Sequence, residues 1–453
     1  MTKRATSTSS GSESDRDSTS GRLTSLIAHV APYERKALFL AFLCNFVLLG
    51  SYYILRPVRD AMATVFGVDQ LQNLYTGTLV LTLICSPIFA WLTNRFRISR
   101  VLLGVFGFLI FNLLAFGVWF RATPDSRWLA AAFYWWFSVV NLFMVSIFWS
   151  LMVDTFTPNQ ASRLLPSIQA GGSLGAIAGP LVASLFVNHV GIAGLLLIAA
   201  VGLGIVITLV SWLMREKRKL QETHVEAQRS TLDHGLGGNP FDGFRALFTS
   251  SYLMNSALFI LLMTWIATVG YFIQTELVAR AFSDIALRTQ ALADIDLVVN
   301  ICSAAIALFG MSRFIARFGI TGSLVLNPIL MVISFALMAL SPTLLMLQAM
   351  QALRRVAQYA IARPCREICF TVVEQASRYK AKNVIDTVVY RFGDLSSAWV
   401  QAGLRALGFG IGGSLSAGVV VSGLWALSAW RLGREYERRR ADGTVDAGRV
   451  AQV

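Results

Sequence analysis

Long stretches without a single charge dominate this chain, and they leave very few folds open to it. A helix rises 1.5 Å per residue, so about 20 apolar residues cross the roughly 30 Å hydrocarbon layer of a bilayer. Runs of that size, free of Asp, Glu, Lys and Arg, occur at Ala37–Leu55, Val101–Phe120, Trp128–Val153, Leu164–Val190, Gly191–Met214, Tyr252–Thr275 and Ala406–Trp430. Leu71–Asn94 is another, with Ser86-Pro87 near its end, and the short run Leu297–Ser312 extends back to Leu292. Phe318–Leu353 would reach about 54 Å as one helix, too long for one crossing, and Ser341-Pro342 divides it. With the more polar but periodic segment Asn383–Leu404, the count is twelve spans. Only 14% of residues are charged and mean hydropathy is +0.60, against roughly a quarter charged in soluble domains. The expected class is all-α and integral to the membrane.

The net charge of +14 would suggest a nucleic-acid partner in a soluble protein. Here most lysines and arginines fall between spans and on one side, so they read as a topology signal and predict no nucleic-acid partner. With both termini cytoplasmic, the opposite side receives Arg121, Arg127, Arg280 and Arg288, with Arg56 and Arg59 at its boundary. The expected order is a disordered cytoplasmic N-terminus (1–35), a six-helix half (36–214), a cytoplasmic linker (215–250), a second six-helix half (251–432) and a basic tail (433–453). The Ser/Thr-rich start has no apolar core of a cleaved signal peptide. Cys44, Cys85, Cys302, Cys365 and Cys369 form no CxxC and are assigned to helix packing.

A weak repeat supports two halves. "QASR" at Gln160–Arg163 recurs at Gln375–Arg378, and "RF.I" at Arg95–Ile98 recurs at Arg317–Ile320, both after equivalent spans. Parallel repeats of this kind resemble the major facilitator fold, which implies a substrate site between the halves near the midplane.

That is where charges need explanation, because an ionisable group within a span costs several kcal/mol unless it is paired or faces water. Counted from Pro342, Arg354 and Arg355 of the tenth span lie about 18 Å deep. Arg355, Gln358, Tyr359, Ala362 and Arg366 share one helical face. Two readings stay open: structural pairing with a carboxylate, or adjacent guanidinium forks binding a phosphate or carboxylate. In the eleventh span Asp386, Tyr390 and Asp394 recur every four residues with Arg391 near them. They serve either as partners for the tenth-span arginines or as a proton or cation site. Glu276 closes the seventh span much as Asp60 closes the first, where Pro57 is expected to end the helix beside Arg56 and Arg59. Gly171, Gly172, Gly175 and Gly179 give the fifth span a face for close helix contact. The aromatic run Phe133–Phe137 is expected to face lipid or pack in the bundle. The four histidines suggest no metal site, no cofactor motif occurs, and no nucleophile elbow or paired-carboxylate pattern supports an enzyme.

Several of these blocks resemble the bacterial branch of the non-mitochondrial ATP/ADP translocase family. They are "YYILRPVRDAM", "NLFMVSIFWSLMVDTF" with "QASRLL" and "QAGGSLGA", "YFIQTELVARAF", "RRVAQYAIARPCREICFTVV" and "YKAKNVIDTVVYRFGDLSSAW". Together they run from the first span to the eleventh. The resemblance implies twelve helices and nucleotide exchange through a cationic pathway. It places the family's charged positions on Arg59 with Asp60, on Glu276, on Arg366 with Glu367, and on Lys382. The chain differs from the characterised exchangers in having Arg59 where they have lysine, and in having no acid between Phe133 and Trp149, which widens the substrate class to other organic anions.

The sequence therefore predicts a monomeric alternating-access transporter of the bacterial inner membrane for a small anionic solute. Arg56, Arg59, Arg354, Arg355, Arg366, Lys382 and Arg391 are the expected substrate contacts. Asp60, Glu276, Glu367, Asp386 and Asp394 are expected to balance charge or couple ions. Proton-driven export of small compounds and a non-transporting, lipid-binding scaffold are the competing expectations.

Overall fold

The structure, a computed structural model, describes residues 31, 33–96, 98–123, 125–223, 242–309, 311–373, 381–382 and 384–441. Helices account for nearly all of them, and no strand occurs among the described residues. The helices are α1 (Arg35–Phe66), α2 (Leu71–Arg95), α3 (Ile98–Ala122), α4 (Arg127–Thr155), α5 (Pro158–Thr223), α6 (Asp242–Thr249), α7 (Ser251–Ala281), α8 (Ile285–Phe309), α9 (Met311–Leu340), α10 (Leu344–Val356), α11 (Arg363–Cys369), α12 (Tyr390–Ala406) and α13 (Ile411–Ala441). Most apolar runs of the sequence lie within one of them, and Leu297–Ser312, Phe318–Leu353 and Ala406–Trp430 each continue from one helix into the next. Eight helices among the described residues are long and apolar enough to cross a membrane. The second, tenth and eleventh spans are not among these; α10 and α12 have only 13 and 17 residues because π-helical segments interrupt the tenth and eleventh spans.

The fifth and sixth spans form one helical stretch, α5, broken at Gly191 with φ 67°. The turn between α12 and α13 uses Gly408 with φ 83°. Both positions require the left-handed backbone that glycine adopts without a Cβ clash. They stand at equivalent places in the two halves, about as far apart as the repeated loop motifs.

Two apolar cores organise the chain. One joins α1, α3, α4 and α5 around Phe106, Phe133, Phe137 and Phe148. The other joins α7, α9, α10 and α13 around Tyr252, Phe259, Phe335 and Trp425. The glycine face of α5 lies on α1 so closely that a Cβ at Gly171, Gly175 or Gly179 would overlap the carbonyls of Phe42, Phe46 or Gly50. That is the small-residue packing expected where hydrocarbon supplies no hydrophobic drive. Asn45 reinforces it by donating to the Ile168 carbonyl at 2.9 Å.

Two sequence expectations change. Pro57 does not end the first helix: α1 continues through it to Phe66 and stops at Gly67, φ 111°. Arg56, Arg59 and Asp60 consequently lie within a long helix, not at its outer end. The first "QASR" clamps the start of α1, with Arg163 Nη2 3.1 Å and Gln160 Nε2 3.0 Å from buried Glu34; the second lies outside the described residues.

The tenth span is α10 and α11 joined by a π-helical segment, Ala357–Ala362. Pro364 has no N–H for the Ala360 carbonyl and its ring crowds that carbonyl, so the helix widens just before it. A second π segment, Ile385–Val389, opens the eleventh span. It falls in a stretch, 384–389, where five of six residues are β-branched and crowd an α-helical turn.

Candidate functional site

Between the halves lies a cavity of about 300 Å³ with walls from α1, α2, α4, α7, the tenth span and α12. Arg56, Arg59, Arg354, Arg355 and Arg391 line it, with Asp60 and Asp394. Aromatic and small polar groups complete the wall, among them Tyr75, Tyr134, Tyr271, Tyr359, Tyr390 and Asn141.

The arginines differ in what holds them. Arg59 Nε donates to Asp60 Oδ1 at 2.9 Å, and its guanidinium lies over the Tyr134 ring at 5.3 Å. The Tyr271 hydroxyl, from the other half, donates to the same Asp60 oxygen at 3.1 Å. Arg355 donates to Asp296 Oδ1 of α8, and Arg56 Nε lies 3.6 Å from Asp296 Oδ2. Asp296 is 2% exposed, so one buried carboxylate serves a cation from each half, which repays part of the cost of desolvating all three.

Arg354 has no carboxylate partner among the described residues. Its Nε donates to Gln351 Oε1 at 3.0 Å and its Nη1 to Gln358 Oε1 at 3.1 Å. Gln351 is itself fixed by donating to the Gly270 carbonyl and to Gln274. Arg391 has neither a hydrogen-bond nor an ion-pair partner among the described residues. Five guanidinium groups against the carboxylates of Asp60, Asp296 and Asp394 leave a formal surplus of two positive charges.

A second cavity, about 290 Å³, adjoins the first and shares Gln358, Tyr359 and Tyr390 with it. Arg366 and Asp386 line it, 3.2 Å apart. Arg366 also lies 3.1 Å from Glu367, which accepts a hydrogen bond from Lys382. Glu367 and Lys382 therefore satisfy each other beside the cavities. Arg378 and Lys380, expected at the same entrance, lie outside the described residues.

Glu276 sits apart from both cavities. It is paired with Arg280 and with Arg405 of α12, and Arg405 Nη1 reaches Asp69, between α1 and α2, at 3.2 Å. At the same end Arg288 Nη1 donates to Thr64 Oγ1 at 2.9 Å, and Asn188 Nδ2 to Gln290 Oε1 at 2.7 Å. Phe66, Leu71 and Leu74 pack with Phe272 and Ala398 into a small apolar seal. These contacts join the halves across the Gly67 end of the cavity.

The arginines stand out in the sequence, but part of their setting does not. Asp296 lies just ahead of the uncharged run Leu297–Ser312, and "DID" at 294–296, within the extended span, is its signal in the sequence. Arg405 stands between the segment ending at Leu404 and the run starting at Ala406, where a charge carries no signal of its own. Of the aromatic run, Phe133 and Phe137 are core residues, but Tyr134 faces the cavity. Tyrosine, threonine and asparagine are tolerated in apolar helices, so they leave no mark in hydropathy.

Comparison with known proteins fits this arrangement. The sequence profile of the Major Facilitator Superfamily matches residues 41–357. No curated protein sequence matches the chain. Among solved structures, a bacterial homologue of the human lysosomal transporter Spinster, inward-facing and unoccupied, aligns with TM-score 0.58 at 15% identity over 90% of this chain and 99% of that one. The nucleoside transporter NupG aligns with TM-score 0.54 at 16% identity, covering 90% and 100%. A bacterial homologue of the iron transporter ferroportin, inward-facing, gives TM-score 0.62 at 12% identity, covering 88% and 100%. At these identities the structures speak for the fold alone, whereas the profile spans well over half of the sequence. The chain is thus a multi-pass membrane protein with a cavity between two helical halves, and it belongs to the Major Facilitator Superfamily of small-molecule transporters.

Proposed function

We propose that this protein is a secondary transporter for an organic anion, working by alternating access between halves 36–214 and 251–432, through exchange or ion coupling. Phosphorylated solutes, nucleotides among them, are the favoured class, because planar guanidinium forks match phosphate geometry and the resemblance to ATP/ADP translocases points the same way. One observation carries the reading: Arg354 and Arg391 face the cavity between the halves with no ion-pair partner among the described residues. A cation kept in such a place is costly unless a mobile anion visits it. Arg56, Arg59 and Arg355 would complete the anion site, with Arg366 and Lys382 on its approach. Asp60, Asp386 and Asp394 would balance charge or couple ions, and Glu276 would act in closure at the Gly67 end. A monomer in the bacterial inner membrane with both termini cytoplasmic completes the proposal.

Proteoliposomes test it directly. Uptake and exchange of labelled nucleotides, phosphate esters and carboxylates are compared for the wild type and for R354Q/R391Q. The wild type is expected to move at least one anion and the variant to lose it. Unchanged transport of every anion that the wild type carries would overturn the anion site.

A further inference from the structure

α13 carries a stripe that changes character partway along. Val420, Leu424, Leu427, Arg431, Arg434 and Arg438 recur at alternating spacings of four and three, which keeps them on one helical face. All six are exposed. The first half of the stripe is the apolar surface expected toward lipid, and the second half is cationic.

Where the character changes, the stripe borders a groove of about 1070 Å³ between the last turns of α13 and the first turns of α7. Met254 and Leu258 of α7 and Trp430 of α13 form its apolar part. The Arg434 guanidinium lies 4.5 Å from the Trp430 ring centre, which fixes a flexible side chain at the rim. Two carboxylates of the groove are already engaged. Glu435 accepts from Arg439 at 2.8 Å, and Glu437 accepts from Thr321 Oγ1 at 2.7 Å. Arg431 and Arg434 have no hydrogen-bond or ion-pair partner among the described residues.

We propose that this groove binds an anionic phospholipid. Its headgroup phosphate would be held by Arg431 and Arg434, and its acyl chains would run along Leu258, Leu427 and Leu424. Charge complementarity selects the headgroup, because the groove carries four arginines against Glu435 and Glu437, and Arg431 and Arg434, one turn apart and without an ion-pair partner among the described residues, match phosphate oxygens. Continuity selects a lipid over a free anion, since the same face runs without a step from the cations into membrane-facing hydrocarbon surface. Scattered interfacial arginines would serve topology equally well on a convex helix. A concave site with an aromatic floor and a one-turn pair of unmatched cations goes beyond that need. The inference is independent of the central cavity.

The full-length chain in a neutral detergent is titrated with phosphatidylglycerol, phosphatidylcholine or inorganic phosphate while thermal unfolding is followed, and lipids retained on the protein are counted by native mass spectrometry. Phosphatidylglycerol is expected to raise the unfolding temperature saturably and to persist as one bound molecule, with the other two ligands inert. R431Q/R434Q is expected to weaken this binding by roughly fivefold per arginine removed, from about 1 kcal/mol for each cation near an anionic lipid. R354Q should leave it intact. If the double variant does not fold, R434Q alone should give the smaller loss. An equal response to phosphatidylcholine, an equal response to phosphate, no phosphatidylglycerol response, or full retention of it in the folded variant would each overturn the proposal.

Discussion

Arg405 and Arg354 both stand between the halves, yet Arg405 is held by Glu276 and Asp69 whereas, among the described residues, Arg354 reaches the amide oxygens of Gln351 and Gln358 and no carboxylate. The paired arginine sits where α12 meets the loop between α1 and α2, and it ties one half to the other. The arginine without a carboxylate sits where the cavity is widest in cations. The residue type is the same at the two places, so counter-charge is what separates a strut from a site. A fully matched cation lowers the energy of one arrangement of the halves, and an unmatched one lowers the energy of a complex with something mobile.

Mutation can break that contrast. Substituting Arg354→Gln should weaken anion binding about 10- to 100-fold, since hydrogen bonds to charged groups contribute roughly 1.5–3 kcal/mol. The half-saturation concentration for proteoliposome exchange reads this, and R405Q should change it by no more than about twofold. Equal losses in the two variants would erase the distinction. Asp296→Asn comes next. Leaving Arg56 and Arg355 without their shared carboxylate should cost about 3–5 kcal/mol of stability, seen as a lower unfolding temperature. In the folded fraction anion binding should tighten, because an internal competitor has gone.

R405Q and E276Q should act on the other side of the contrast, raising access to the cavity from the Gly67 end. A thiol at Ser138, introduced as S138C, would then label several-fold faster with an impermeant reagent, and no acceleration would remove the closing role. Asp394→Asn should have the smallest effect, a gain of a few-fold in anion affinity from one less negative charge in the wall. A loss of all transport in D394N with unchanged affinity would instead assign this carboxylate to ion coupling.

The fold was legible from the apolar runs because lipid leaves few solutions to a chain that must satisfy every backbone group internally. The cations of the cavity were legible for the same reason, since arginine in a span is too costly to be incidental. Their partners were harder to see. Asp296 and Arg405 lie near the ends of runs, where a charge is cheap and carries little information. Tyr75, Tyr134 and Tyr271 come from three helices, and only packing brings them to one wall. Arg56 and Arg59 were found but misplaced, because Pro57 was expected to stop a helix that instead continues to Gly67.

The π segment at Ala357–Ala362 makes the tenth span unequally vulnerable to deletion along its length. Such a segment holds one residue more than the α-helix would need over the same length. Deleting a single alanine there, Ala360 for instance, would remove little volume and no charge. It would let the helix relax to ordinary α geometry with its two flanks still in register, whereas the same deletion in the regular turns of α10, at Ala352 for instance, would turn everything beyond it by about 100° about the axis. Arg366 would then leave the wall it shares with Asp386. In those regular turns the reading frame of the helix, more than the identity of any one residue, decides what the pathway presents to its cargo.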